Sequence, residues 1–463
     1  MRHAAPAALL SFVAVSERSP IRLPVGVRDF LPEAAARRRS LAEALLAEFE
    51  RWGYDRIITP AFEYLDVLAR GLGDGARAAV LRFVEPATGE VVALRPDITP
   101  QVARIAATRL AGARGPIRLC YEGSVLRLAP GARGQRELIQ AGVELIEAPS
   151  PTGDAEVLAL ADAALRAADL DEVTLEVGHV ALLRGALAAV EDAALSRELE
   201  ALIRVKDEHA VAEAAAGRVA PKIRRVLSAL PTLYGDPTEV LARARELPLD
   251  RTMKDALDEL ERTLALVRTQ GATARLRVDL GEVRGFSYYT GIRFAGFVPG
   301  VGDAILLGGR YDDLIERFGR SARATGFAID VESIAEAEQA RGVDTRPKHR
   351  GVLVAGEGDR PYQIAASLRR LGHRAIVETS SRGAADLAAY AAQVGARAIL
   401  VLDGNSGKKV GSGPAQPVAA ALLKDAAAGA AEGLARELGL LASRDSKKGQ
   451  SDGRRDHRRR PVG

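Results

Sequence analysis

Leu41, Leu45, Phe49 and Trp52 follow one another at steps of four, four and three, which places them on a single face of a helix whose other positions are mostly small or charged. Gly53 predicts the end of that helix, and residues 56–60 read as a strand stopped by Pro60. A second short strand is predicted over 91–95. After it, Thr99 and Pro100 predict a helix start, with a capping hydroxyl at N-cap and proline at the first helical position; Val102, Ile105, Ala106 and Leu110 form its apolar face. Strands follow over 117–121, 124–128 and 137–145, the last two separated by a glycine-rich link. Residues 152–274 are rich in Ala and Leu at helical spacing, and about 185–265 read as a helical insertion of mixed charge with no candidate site. Strands over 275–280, 288–294 and 324–331 complete this part. Beyond it, strands over 352–355, 374–377 and 398–402 alternate with helices over 361–371 and 383–394. That alternation predicts a small α/β domain with parallel strands.

Composition narrows the function classes. The 463 residues, 47% of them hydrophobic, can fill two or three cores. Cys120 is the single cysteine, so no internal disulfide forms. A reducing cytoplasm is the expected compartment, with Cys120 as a small buried hydrophobe. Six histidines lie scattered without ligand spacing, and no metal site is expected. A pI near 9.2 points towards nucleic acid until the charges are placed. Residues 444–463 hold eight Lys or Arg against three Asp, a net of +5 in a chain of +4, so the other 443 residues carry −1. A phosphate-tracking surface, and with it any specific nucleic-acid partner, is therefore not expected. The tail over 443–463 has little to bury and reads as a disordered end. Residues 1–20 read as a disordered extension, and the apolar run at 8–15 is short for a secretory signal. No apolar run reaches the length of a membrane span.

Two groups of residues carry candidate chemistry. Asp97 and Thr99 sit at a strand-to-helix turn, where a rigid scaffold lets side chains converge on a ligand. A carboxylate beside a neutral acceptor suits an ammonium group, although Asp97 can equally serve only to cap the helix. On the strand over 137–145, Gln140, Gly142 and Glu144 share one face. Gln140 and Glu144 stand roughly 13 Å apart at most along that strand, room for a flat ligand between them.

In chain order, Leu-Arg-Pro-Asp-Ile-Thr (94–99), Tyr-Glu-Gly-Ser-Val-Leu-Arg (121–127), Gln-Arg-Glu-Leu-Ile-Gln-Ala-Gly-Val-Glu (135–144), Val-Arg-Gly-Phe-Ser-Tyr-Tyr-Thr-Gly (283–291), Gly-Gly-Arg-Tyr-Asp (308–312) and Gly-Phe-Ala-Ile-Asp-Val-Glu-Ser (326–333) resemble the motif series of histidyl-tRNA synthetases, over about residues 23–335. The resemblance implies an α+β fold: a class II aminoacyl-tRNA synthetase-like, mainly antiparallel sheet with helices over 21–335, with its insertion at about 185–265. A linker over 336–350 and an anticodon-binding-like α/β domain over 351–442 would follow. It implies a histidine site in which Asp97 and Thr99 take the ammonium, and Gln140 the ammonium and carboxylate end. Glu144 takes the imidazole, Arg127 and Arg284 face the carboxylate, and Tyr288 and Tyr289 close on the ligand.

The departures fall on the nucleotide side. The family segment that ends here at Ser333 closes with an arginine that grips ATP, and Asp330 replaces a glycine. Ser287 replaces an Asp, and Leu128-Ala129 replaces a polar and acidic pair. The pattern thus resembles the noncatalytic branch, the regulatory subunits of ATP phosphoribosyltransferase in histidine biosynthesis. That branch implies no catalytic residues, no cofactor and feedback inhibition by histidine. Its partner would be a short-form catalytic subunit, in a hetero-oligomer expected to be a hetero-octamer, with a homodimer through the core. The alternatives are an active histidyl-tRNA synthetase, favoured by the retained C-terminal domain, and a free histidine sensor.

Overall fold

The first helix, Pro32–Arg51, buries Leu41, Leu45 and Phe49, while Trp52 is half-buried at its C-cap. Gly53 follows at φ +82°, a left-handed geometry that glycine adopts without strain. In this computed structural model residues 22–73, 77, 80–128, 134–283, 289–342, 351–410 and 416–441 are described. The extension over 1–20 and the tail over 443–463 lie outside them, as do Arg284 and Tyr288.

The chain divides into two compact units, residues 1–345 and 346–463. The first is built on a nine-stranded sheet. Its strands run in the order Asp55–Arg56, Ile117–Leu126, Glu137–Ile146, Ala324–Asp330, Leu306–Arg310, Ile292–Phe297, Thr174–His179, Arg275–Asp279 and Tyr234–Gly235. Six of the eight pairings are antiparallel, so the mixed but mainly antiparallel sheet is observed. Helix Pro32–Arg51 covers one face, where Phe49 meets Phe327 edge-on at 5.7 Å. A separate three-stranded sheet joins Phe62–Tyr64, Val91–Leu94 and Arg82–Val84.

Several element boundaries differ from expectation. Residues 117–126 form one strand rather than two, paired along its whole length with Glu137–Ile146. The strand expected over 56–60 is only Asp55–Arg56, and beyond it the Thr59 carbonyl accepts from the Arg95 guanidinium at 2.9 Å. The strand expected from 288 begins at Ile292, which leaves Tyr289 ahead of it. Helix Val331–Ala340 runs through 335, so residues 336–340 are helix and not linker. In the region read as an insertion, Asp192, Asp207, Asp236 and Asp250 each cap the N-terminus of a helix through the carboxylate. The same region supplies the edge strand Tyr234–Gly235.

In the second unit, Val352–Ala355 pairs in parallel with Ala375–Val377 and Ala398–Asp403, around helices Arg360–Arg370 and Ala384–Gln393. An antiparallel extension, Ser406–Val410 with Gln416–Val418, and helices Ala420–Ala427 and Glu432–Glu437 complete it. The strand Ser406–Val410 carries two lysines and two small residues, which is why no apolar run announced it. Among the described residues no helix is long and apolar enough to cross a membrane. Because Phe49 is fully buried between helix and sheet, Phe49→Ala should lower unfolding free energy by about 3–5 kcal/mol in urea titrations; a loss under about 1 kcal/mol would contradict this packing.

Candidate functional site

The turn after Val91–Leu94 is set by Arg95, whose buried guanidinium donates to the carbonyl of Ser124 (2.7 Å), the carbonyl of Thr59 (2.9 Å) and the Thr59 hydroxyl (2.8 Å). Two site residues brace the same turn. Gln140 Oε1 accepts the Ile98 N–H at 3.1 Å, and Arg127 Nε donates to the Pro96 carbonyl at 3.2 Å. Asp97 accepts the Thr99 N–H at 3.0 Å. The helix start differs from expectation: Thr99 is the first residue of Thr99–Thr108, and Ile98 is its N-cap. The Thr99 hydroxyl is therefore not spent on capping, and lies 3.4 Å from the Tyr121 hydroxyl.

Glu144 is more deeply buried than Thr99 or Gln140, at 1% exposed. Opposite it on the neighbouring strand stands Gly326, where any Cβ would run into the Glu144 carboxyl. One pleat pair away, a Cβ on Gly142 would come within 2.6 Å of the Tyr121 hydroxyl. The two glycines thus clear the space in which a carboxyl and two phenols meet. Tyr121 donates to Oε1 at 3.0 Å, Tyr311 donates to Oε2, and Thr99 also bonds the group. Burial pushes the Glu144 carboxyl up to about 8, against the lowering effect of the Tyr311 and Thr99 hydrogen bonds; the charge of Asp97 adds to the rise. Burial likewise pushes the Tyr121 and Tyr289 phenols up.

Asp97, Thr99, Arg127, Gln140, Glu144 and Tyr289 all line one cavity of about 270 Å³. That is near the lower end for small-molecule sites, roughly 300–1,000 Å³. Six expected site residues are brought together, while Arg284 and Tyr288 are outside the described residues. Sequence reasoning missed Tyr121 and Tyr311. Both lie inside motifs singled out for other residues, and only the strand register brings their hydroxyls to one carboxyl.

Asp330 borders the far side of the cavity and caps helix Val331–Ala340, accepting the Glu332 N–H at 3.0 Å. The Ser333 hydroxyl donates to its other oxygen at 2.6 Å. A phosphate approaching this helix end meets a carboxylate already seated there. Elsewhere, Glu176, Asp279 and Glu282 bring carboxylate oxygens within 4.8 Å of one another. Lys206 holds both oxygens of Asp279 at 2.7 and 2.8 Å, and Arg293 lies 3.5 Å from Glu282. A metal ion there would compete with a bound ammonium, and the group reads as an ion-pair network.

The histidyl-tRNA synthetase family model matches residues 26–334. An ATP phosphoribosyltransferase regulatory subunit from Geobacter sulfurreducens is 39% identical over 389 residues, covering 83% of this chain and 89% of the relative. One from Anaeromyxobacter sp. is 45% identical over 336 residues, covering 71% of this chain and 96% of the relative. The chain belongs to the family of ATP phosphoribosyltransferase regulatory subunits. A solved ATP phosphoribosyltransferase regulatory subunit/histidyl-tRNA synthetase from Bacillus halodurans superposes with a TM-score of 0.71 at 28% identity, covering 81% of this chain and 97% of that one. In this regulatory-subunit family member the synthetase-like fold carries the assembled cavity on one side and the Asp330–Ser333 cap on the other.

The raised Glu144 carboxyl has a stability consequence. Unfolded, it would titrate near 4.3; folded, it holds its proton to about 8. Between those values the folded chain binds the extra proton, so its contribution to stability falls as pH rises through the window. Denaturant titrations from about pH 5 to 8 should show a fall that Glu144→Gln lacks; equal slopes in the two proteins would contradict the burial of a titrating carboxyl.

Proposed function

We propose that this chain is a noncatalytic subunit that binds histidine in the Glu144 cavity and passes feedback inhibition to a short-form ATP phosphoribosyltransferase catalytic subunit. The observation that carries this reading is the contrast within one site: an assembled amino-acid cavity beside a helix end closed by Asp330 and Ser333. The histidine ammonium meets Asp97 and Thr99, and the amide nitrogen of Gln140 remains for the ligand because its oxygen holds the Ile98 N–H. The imidazole N–H reaches Glu144 at the closed end. Adenylate formation needs charge neutralisation at the phosphates, and losing one such donor commonly costs on the order of 10²–10³ in rate.

The proposed assembly is a cytoplasmic hetero-octamer built on homodimers of the core. Ile58, 85% exposed beside the outer strand Asp55–Arg56, supports a partner on that side. Histidine acts by binding one arrangement of the complex more tightly, and linkage then requires the catalytic substrates to weaken histidine binding by the same factor.

Calorimetry of histidine with the wild type and Glu144→Ala tests the cavity. Removing the carboxyl leaves the buried imidazole N–H without its acceptor, at a cost of about 1–3 kcal/mol, so the variant should bind roughly 5- to 150-fold more weakly. Mixed with the catalytic subunit, Glu144→Ala should assemble and leave the enzyme insensitive to histidine. Unchanged affinity, or histidine-dependent pyrophosphate exchange into ATP at a synthetase-like rate, would overturn the proposal.

A further inference from the structure

Tyr289 reaches the cavity from three residues ahead of strand Ile292–Phe297, so its own strand does not fix it. Three hydrogen bonds and one ring contact do. The Tyr289 carbonyl accepts a hydrogen bond from the Arg184 guanidinium at 2.6 Å. Thr290 donates its N–H to the Arg310 carbonyl at 2.7 Å, and its hydroxyl accepts the Asp312 N–H at 2.9 Å. The ring lies against Gly309, where a Cβ would stand 2.7 Å from Tyr289 Cδ1, at φ +154°.

Arg184 comes from a firm mount. Its helix, Val180–Ala188, starts at His179, whose Nδ1 accepts the Ala181 N–H at 3.2 Å and whose Nε2 lies 3.4 Å from Glu259. Glu259 belongs to the long helix Arg251–Thr269. The two helices are also in close approach at Gly185, where a Cβ would meet Met253 Cε at 2.8 Å. The cation at Tyr289 is thus mounted where strand Thr174–His179 runs into helix Val180–Ala188, and is braced from the outside by helix Arg251–Thr269.

We propose that Arg184 is a positioning residue for Tyr289, fixing the phenol over the amino-acid cavity and linking that cavity to the helices over 185–265. A charge-assisted bond to the carbonyl fixes the peptide plane from which the side chain leaves. A ligand packed against the ring then loads helix Val180–Ala188 through the guanidinium. Without the guanidinium the ligand must order Tyr289 on binding, which weakens affinity. This rests on the reading that the cavity takes histidine.

The test is a double-mutant cycle read by histidine calorimetry and by amide hydrogen exchange across 289–294. Arg184→Met keeps the aliphatic stem and removes the donors; it should weaken histidine binding roughly 3- to 10-fold, the scale of ordering one side chain. Arg184→Lys should recover part of that loss. In a Tyr289→Ala background Arg184→Met should add nothing further, because both act through one side chain. Independently of any ligand, exchange at Thr290 should accelerate in Arg184→Met. Additive losses in the cycle, or unchanged affinity together with unchanged exchange, would overturn the assignment. Wild-type protein that binds no histidine while exchange still accelerates would sink the ligand reading and leave the Arg184–Tyr289 link standing.

Discussion

One buried carboxyl organises the site. Glu144 lies on the third strand of a nine-stranded sheet, with glycine opposite it on the fourth because nothing larger fits. Such a group is costly to bury unless it is hydrogen-bonded or keeps its proton. Here both apply: Tyr121, Tyr311 and Thr99 supply hydroxyls, and burial raises the carboxyl's proton affinity. The hydroxyls pre-organise an acceptor at the closed end of the cavity, and the turn at 96–99 is aligned with it through Gln140 and the Thr99 hydroxyl.

The nucleotide side follows a different economy of charge. A helix end near phosphates favours anions when its first N–H groups are open. In this chain Asp330 takes the Glu332 N–H and the Ser333 hydroxyl, so the cap is complete within four residues. Glu332 itself is held by Arg28 at 2.8 Å and Arg38 at 2.6 Å. The two departures from the synthetase pattern are thus one local structure: the residue that brings a negative charge also receives the hydroxyl of the residue that replaces the arginine.

Much of this was legible in the sequence, for identifiable reasons. The stripe Leu41, Leu45, Phe49 is periodic and uncontested by turn chemistry, and it is buried as read. On the strand with Gln140 and Glu144 the two-residue pleat alone puts both on one face, and both line the cavity. Boundaries failed beside bonds between side chain and backbone: Arg95 holds the Thr59 carbonyl past the short strand, and Asp97 accepts the Thr99 N–H at the start of a helix whose N-cap is Ile98. Tyr121 and Tyr311 were not legible as partners of Glu144, since they are 190 residues apart and meet only through register across intervening strands.

The central claim, an amino-acid site kept and a nucleotide clamp lost at Asp330 and Ser333, is tested most directly by titrating magnesium-ATP into histidine-saturated wild type and into an Asp330→Gly, Ser333→Arg double variant. Loss of the capping carboxylate and gain of a guanidinium at one helix end predict saturable ATP binding in the double variant and none in the wild type. Tight ATP binding by the wild type, not improved by the double substitution, would contradict it.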